Sequence, residues 1–362
     1  MSFLEVSSPR FKTGFFGGKF LPFHTGHLNC ILRAASQCER LFVVLMHHGP
    51  EELAFLESRE REGDAGAFPA RFLTERVREL ALRRELVLFE NIEVLSYDCR
   101  AADERAVAEG RHPWFYECRD MVELMGRFDA AFSSEPTYAE AFRRFYPWAE
   151  AVLLDEQRIE QSVSGTELRT LPLSRVYGRL PRSYQVLVNR SVLVTGTESC
   201  GKTTLVRKLA ALFSTSFTEE HGRLVSEGYG VESPGIEFYN GFLFGQKARE
   251  SAACERAHRV YFCDTDAVVT DFYARRYEGS ALPLAREIAA ECRYDLVLYV
   301  EPTVPWVDDG WRSFGDPDQR REGDALLKRL YAEAGVSYRV LSGDYEQNYQ
   351  QAAMLVRALL DE

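Results

Sequence analysis

His24 and His27 stand three residues apart in Gly18-Lys19-Phe20-Leu21-Pro22-Phe23-His24-Thr25-Gly26-His27, a glycine-ended segment that closes on His-x-Gly-His. On the first turn of a helix, side chains at this spacing project from one side. The free amides and positive dipole at such a helix start seat a phosphate. Two imidazoles there can donate hydrogen bonds to a pentavalent phosphorus centre and its leaving pyrophosphate. Lys19 adds a mobile charge, and Gly26 lets a nucleotide come close to the backbone. Far downstream, Gly196-Thr197-Glu198-Ser199-Cys200-Gly201-Lys202-Thr203 fits GxxxxGK[ST], a loop whose amides ring a β-phosphate. Lys202 would bridge β and γ oxygens, and the Thr203 hydroxyl, followed by Thr204, would ligate Mg²⁺.

Other residues complement these two strings. Ser164-Gly165-Thr166-Glu167-Leu168-Arg169 has the spacing of a capping box and sets a hydroxyl and a guanidinium near one helix start, suited to an anion. Behind the second string, Val260 to Asp264 is an apolar run ending in carboxylates (Asp264, then Asp266), where a metal-water ligand or general base belongs. Glu220-His221-Gly222-Arg223 could hold an acceptor hydroxyl. Trp306-Val307-Asp308-Asp309-Gly310-Trp311-Arg312 places an arginine in a glycine-bounded segment, as phosphoryl-transfer lids do.

The elements needed to position these groups are legible. Residues 12–18 form a short strand running into glycines; 28–38 have helical periodicity; and 41–46 are an unbroken apolar run suited to a buried parallel strand. Strand, glycine turn, helix and strand open a doubly wound parallel α/β sheet. The pattern predicts a loop over 47–70, a helix over 74–84, and strands over 92–96, 128–132 and 151–154. Pro172, Gly178 and Pro181 mark a boundary, and alternation restarts with a strand at 191–195, a helix at 203–213, and strands at 260–264 and 296–300. The expected architecture is two α/β domains, 1–182 and 183–362, the second a P-loop sheet flanked by helices.

Composition bounds the rest. With 362 residues, 46% hydrophobic and 27% charged, the chain accommodates two cores. It shows neither a signal peptide nor an apolar run of membrane-spanning length, so a cytoplasmic protein is expected, with no membrane partner. The eight scattered cysteines read as reduced and structural. A net charge of −11 argues against nucleic acid as partner. The sequence leaves a homo-oligomer open.

Gly-Lys-Phe-x-Pro-x-His-Thr-Gly-His followed by Val163-Ser-Gly-Thr-x-Leu-Arg169 resembles the nicotinamide mononucleotide adenylyltransferase domain of the NadR family, and Ser133-Ser134-Glu135 is similar to that family's Ser-Ser-Glu loop at the ATP site. Glu220-His-Gly-Arg223, Asp264-Thr-Asp266 and Trp306-Val-Asp-Asp-Gly-Trp-Arg312 resemble its ribosylnicotinamide kinase domain. His221 and Trp311 depart from the family's usual aromatic and aliphatic residues. The resemblance spans residues 12–355, without the N-terminal repressor module of some relatives. It implies ATP as co-substrate in both domains, Mg²⁺ as cofactor, and nicotinamide riboside, nicotinamide mononucleotide and NAD as ligands. It also implies that Gly18, Lys19, Phe20, Ser164, Thr166 and Arg169 hold the first ATP, with the P-loop residues holding the second. Trp114 would stack on nicotinamide, with Arg223, Asp266, Trp306 and Asp309 around the riboside. Asp264 or Glu220 would serve as the kinase base, and Arg312 would close on the γ-phosphate. Two other readings use the same motifs: a fused phosphopantetheine adenylyltransferase and dephospho-coenzyme A kinase, disfavoured by the Trp-Val-Asp-Asp-Gly string, and a nucleotide-sensing protein with a decayed activity.

Overall fold

The computed structural model describes residues 8–61, 68–154, 165–230, 233–305 and 316–361. Two five-stranded sheets, every strand pair parallel, organise the chain. The first comprises β1 (Phe11–Gly18), β2 (Cys38–His47), β3 (Ile92–Asp98), β4 (Ala130–Ser133) and β5 (Glu150–Leu153), in the order β3-β2-β1-β4-β5. The second comprises β6 (Arg190–Thr195), β7 (Phe217–Thr218), β8 (Val260–Asp264), β9 (Leu296–Val300) and β10 (Arg339–Leu341), in the order β10-β9-β6-β8-β7. Leu41 to Leu45 and Val192 to Val194 are buried without a break, as strands covered on both faces require. In each sheet the motif-bearing strand is central, and the next connections leave it on opposite sides. That topological switch opens a crevice at the carboxyl ends of the strands, where ligands of open α/β sheets bind.

The chain divides into two compact units, residues 1–187 and 188–362. The division falls at Leu187 rather than at Arg182 because helix Arg182–Val188 is anchored in the first unit: Tyr184 is fully buried and donates its hydroxyl to the Phe72 carbonyl at 2.5 Å. One core is aromatic, with Phe15, Phe128 and Tyr146 in mutual contact at ring separations of 4.8 to 6.2 Å. The other is built from Val192, Val194, Phe262 and Leu298 beneath Leu205, Val206 and Leu209 of the P-loop helix. Among the described residues no helix is long and apolar enough to cross a membrane.

The expected loop over 47–70 is instead largely the helix Gly49–Arg61. Pro50 sits in its first turn, where a missing N–H costs nothing, and Glu51 and Glu52 meet the positive end of the dipole. It carries no apolar stripe; Phe55 is exposed, which is why periodicity misses it. What fixes it is an ion pair: Glu52 accepts from Arg78, whose side chain is 1% exposed and which also donates to the Lys19 carbonyl just past β1. Removing one partner leaves a buried charge uncompensated. Arg78→Ala is therefore expected to lower unfolding free energy by about 3–5 kcal/mol, measured by urea denaturation, and to loosen the Lys19 turn.

Candidate functional sites

In the first unit the helix begins at Thr25, earlier than the periodicity indicates, and β2 already begins at Cys38. His24 is the N-cap of helix Thr25–Ala35, its Nδ1 accepting from the His27 amide at 3.4 Å. The two imidazoles stack with centroids 3.7 Å apart, and Phe20, in a left-handed conformation (φ 47°), packs its ring against His27 at 5.1 Å. This places both histidines at the carboxyl end of β1, beside the helix amides. Arg169, at the end of the short helix Gly165–Arg169, donates to the Leu21 carbonyl at 2.7 Å and to Thr166 Oγ1 at 3.1 Å. Gly165 allows a close approach there: a Cβ would stand 3.1 Å from the Leu21 carbonyl oxygen and push it by a few tenths of an ångström.

Gly18, Lys19, Phe20, His24, His27, Trp114, Thr166 and Arg169 all line one cleft of about 1000 Å³, along with Ser133, Ser134 and Glu135 of the Ser-Ser-Glu loop. Ser164 lies outside the described residues. Three lining residues were not singled out in the sequence. Tyr138 stacks on Trp114 with centroids 5.2 Å apart, from a helix 24 positions on, too far for local pattern to reveal. Glu117 stands one turn along the helix Trp114–Met125, its carboxyl pushed up to about 7 by burial and by the neighbouring Asp103 charge, with Lys19 opposing. His48 pairs with Asp103 at 3.0 Å.

In the second unit the P-loop connects β6 to helix Lys202–Leu212. Gly196 (φ 142°) lies so close to β9 that a Cβ would stand 2.4 Å from the Val300 carbonyl oxygen; no other residue fits. Left-handed Ser199 (φ 59°) and Gly201 (φ 93°) turn backbone amides into one concavity, an anion-binding nest. Lys202 Nζ donates to the Thr197 carbonyl at 2.7 Å. Burial opposes its charge, but the carboxylates of Glu220, Asp264 and Glu198 hold its ammonium above the ordinary lysine range. Cys200 is buried, its thiol also directed to the Thr197 carbonyl at 3.0 Å, and burial pushes that thiol up, so it is packing rather than chemistry.

Thr203 Oγ1 donates to Asp264 Oδ2 at 2.5 Å, joining the helix start to the end of β8. Burial raises the Asp264 carboxyl above the usual range, with Lys202 pulling it down. Burial likewise pushes Glu220, at the start of helix His221–Tyr229, up to about 7. Both carboxylates thus face Lys202 from different elements. A hydroxyl and a carboxylate oxygen beside a P-loop lysine form a hard donor set of the kind magnesium takes. Among the described residues no group of three or more His, Cys, Asp or Glu is placed to hold a metal on its own.

A second cavity, of about 150 Å³, is lined by Glu198, Ser199, Gly201, Lys202, Thr203, Thr204, Glu220 and Arg223, and walled by Tyr239, Phe242, Tyr273 and Tyr277. Arg223 is steered along its own helix by Glu227 at 2.7 Å. Asp266 is not on this cavity. It caps helix Ala267–Glu278 through the Val269 amide and accepts from Tyr331 at 2.7 Å, which in turn meets Thr195 at 2.6 Å. These bonds give the residue expected around the riboside a structural task at the start of that helix. Trp306, Asp309 and Arg312 lie outside the described residues. Sequence reasoning missed Gln246, buried on helix Tyr239–Arg256. Its Nε2 donates to the Thr218 hydroxyl and to the carbonyls of Asp264 and Thr265, while its Oε1 accepts from the His221 amide. One amide thereby fixes the ends of β7 and β8 and the start of the Glu220 helix. His221 accepts from Arg249 at 3.0 Å and presses on Gly245, where a Cβ would meet its ring at 2.0 Å.

Two helix starts, each at the switch point of its own parallel sheet and each ringed by basic side chains, define an α/β nucleotide-binding protein with a P-loop unit. A family model described as an AAA domain matches residues 191–348. The trifunctional NAD biosynthesis/regulator protein NadR of Escherichia coli (strain K12) is 30% identical over 370 residues, covering 99% of this chain and 87% of that protein. Its Salmonella typhimurium (strain LT2) counterpart is 28% identical over 374 residues, with the same coverage. Among solved structures, a NadR protein in complex with NR superposes with a TM-score of 0.72 at 24% identity, covering 99% of this chain and 98% of that one. A NadR protein in complex with NAD and AMP-PNP gives 0.70 at 23% identity, covering 97% of each chain. The chain belongs to the NadR family of NAD biosynthesis proteins.

Proposed function

We propose that the chain is a bifunctional NAD salvage enzyme. Its second unit transfers the γ-phosphoryl group of ATP to the 5′-hydroxyl of nicotinamide riboside. Its first unit joins the resulting mononucleotide to AMP from another ATP, releasing pyrophosphate. What carries this reading is that each unit has its own phosphate-gripping helix start furnished with the groups its step requires: Lys202, Thr203, Asp264 and Glu220 in one, and His24, His27, Thr166 and Arg169 in the other. That the solved NadR complexes hold NR, NAD and AMP-PNP supports the same ligands here.

In the kinase step the P-loop amides and Lys202 bind the phosphate chain and fix its orientation. Thr203 and Asp264 are the residues that would hold magnesium, which when bound neutralises phosphate charge. The riboside hydroxyl attacks the γ-phosphorus, the bond to the β-bridging oxygen breaks, and the hydroxyl proton passes to Glu220 or Asp264, both facing Lys202. In the adenylyl step a phosphate oxygen of the mononucleotide attacks the α-phosphorus of ATP. The bond to pyrophosphate breaks while His24, His27, Lys19 and Arg169 take up the growing charge. Neither step uses a covalent enzyme intermediate; positioning and charge neutralisation supply the rate.

Mass spectrometry of a mixture of protein, nicotinamide riboside and MgATP tests this directly. Mononucleotide should appear first, then dinucleotide with stoichiometric pyrophosphate. Consumption of pantetheine compounds alone, or ATP binding without turnover of either substrate, would transfer the chain to one of the two rival readings.

A further inference from the structure

Two chemically different sets of residues line the cleft of the first unit. One is the set proposed for phosphate, His24, His27, Thr166 and Arg169. The other is aromatic and acidic. Trp114 and Tyr138 stack there, and Glu117, three residues after Trp114, lies on the same helix face and lines the same cleft. Asp103 approaches from helix Arg100–Glu109 with His48 bound to it, while Asp120, one turn beyond Glu117, is engaged by Tyr97 at 2.6 Å. Lys19 is the opposing cation. Aromatic faces edged by carboxylates suit a flat cationic ring, which gains from both the ring quadrupole and the charge. Adenine also stacks on aromatic faces, but it carries no charge for the carboxylates to hold, so these residues favour a pyridinium ring over the ATP base.

Building on the function proposed above, we propose that Glu117 sets which pyridine mononucleotide the first unit accepts, admitting a ring that carries an uncharged carboxamide and rejecting one that carries a carboxylate. A carboxamide can donate its N–H to ionised Glu117, or accept from the protonated acid. A ring carboxylate meets repulsion from the ionised form, and rejection of this kind rests on a repulsive element as much as on an attractive one. Because the Glu117 carboxyl titrates near 7, the amide-over-acid preference should rise as pH passes upward through that value, following the appearance of its charge. The charged groups around it are Asp103, with His48 bound to it, Asp120 and Lys19. Cys99, pushed to about 12, and the raised hydroxyls of Tyr97 and Tyr138 titrate above this window.

The test compares kcat/KM for nicotinamide mononucleotide and nicotinate mononucleotide in the wild-type chain and in Glu117→Gln, across neutral pH. The amide-over-acid ratio should fall about tenfold in the variant, through gained use of the acid, and its pH dependence should flatten. A ratio that does not move, or two substrates that decline in parallel, overturns the assignment while leaving the adenylyltransferase reading intact. Should Glu117→Gln not fold, a wild-type ratio that is flat in pH overturns it equally. If the wild-type chain adenylylates neither mononucleotide, the parent reading has failed and this inference with it.

Discussion

Lys202→Ala is expected to lose riboside phosphorylation by about 10²–10³-fold or more, the range that a single preorganised donor to developing charge supplies. The argument is geometric. Nζ is held 2.7 Å from the Thr197 carbonyl, within the loop whose amides would ring the phosphate chain. Only 7% of the residue is exposed, so bulk water cannot substitute for the missing cation. Its loss also leaves Asp264 and Glu220 facing each other with Arg223, the weaker of their two cationic neighbours, as counter-charge, and a lower melting temperature should accompany the lost activity. Adenylylation of supplied mononucleotide should be unchanged, because His24 and His27 belong to a unit with its own sheet and core. Single-substrate assays with each intermediate make the measurement. Phosphorylation within tenfold of wild type would remove the P-loop from the chemistry.

His27→Ala should do the reverse. Adenylylation is expected to fall by about 10²–10³-fold, chiefly in kcat, since imidazole donors act where charge grows on the departing pyrophosphate. Riboside phosphorylation should persist. The variant tests a side chain and not a helix: the cap that starts Thr25–Ala35 is His24 Nδ1 accepting the backbone amide of residue 27, which alanine retains. What disappears is the ring between Phe20 and His24, at 5.1 and 3.7 Å. A dinucleotide yield equal to wild type would mean that the histidine pair is packing alone.

Both candidate helix starts could be read from the sequence because their signals are local. A glycine-ended strand, a turn and a helix fall within about 25 residues, and each motif fixes its own backbone. The alternation of apolar runs likewise announced both sheets. What escaped depends on partners far along the chain. Helix Gly49–Arg61 carries its apolar residues in one consecutive run, Leu53 to Leu56, rather than at helical spacing, and it is held by Arg78, so its own residues do not read as amphipathic. Glu117 and Tyr138 matter only because separate helices bring them to one cleft, and Gln246 only because three elements end around its amide. Asp266, expected around the riboside, is a helix cap in the fold. Asp264 reaches the P-loop threonine, and unbroken extended backbone would set both carboxylates on one side, but left-handed Thr265 (φ 73°) lies between them and Asp266 turns back to cap a helix.

The bond from Arg169 to the Leu21 carbonyl joins positions 148 residues apart. The turn that carries His24 is therefore braced by almost the last segment of its unit to be synthesised. On the ribosome, the strand and helix that follow Gly18 can form early, but the nascent chain cannot complete the grip on a nucleotide until Arg169 has emerged and folded back. ATP binding in this cleft should consequently protect the finished unit against proteolysis and leave a truncation ending before residue 165 as vulnerable as it was without nucleotide.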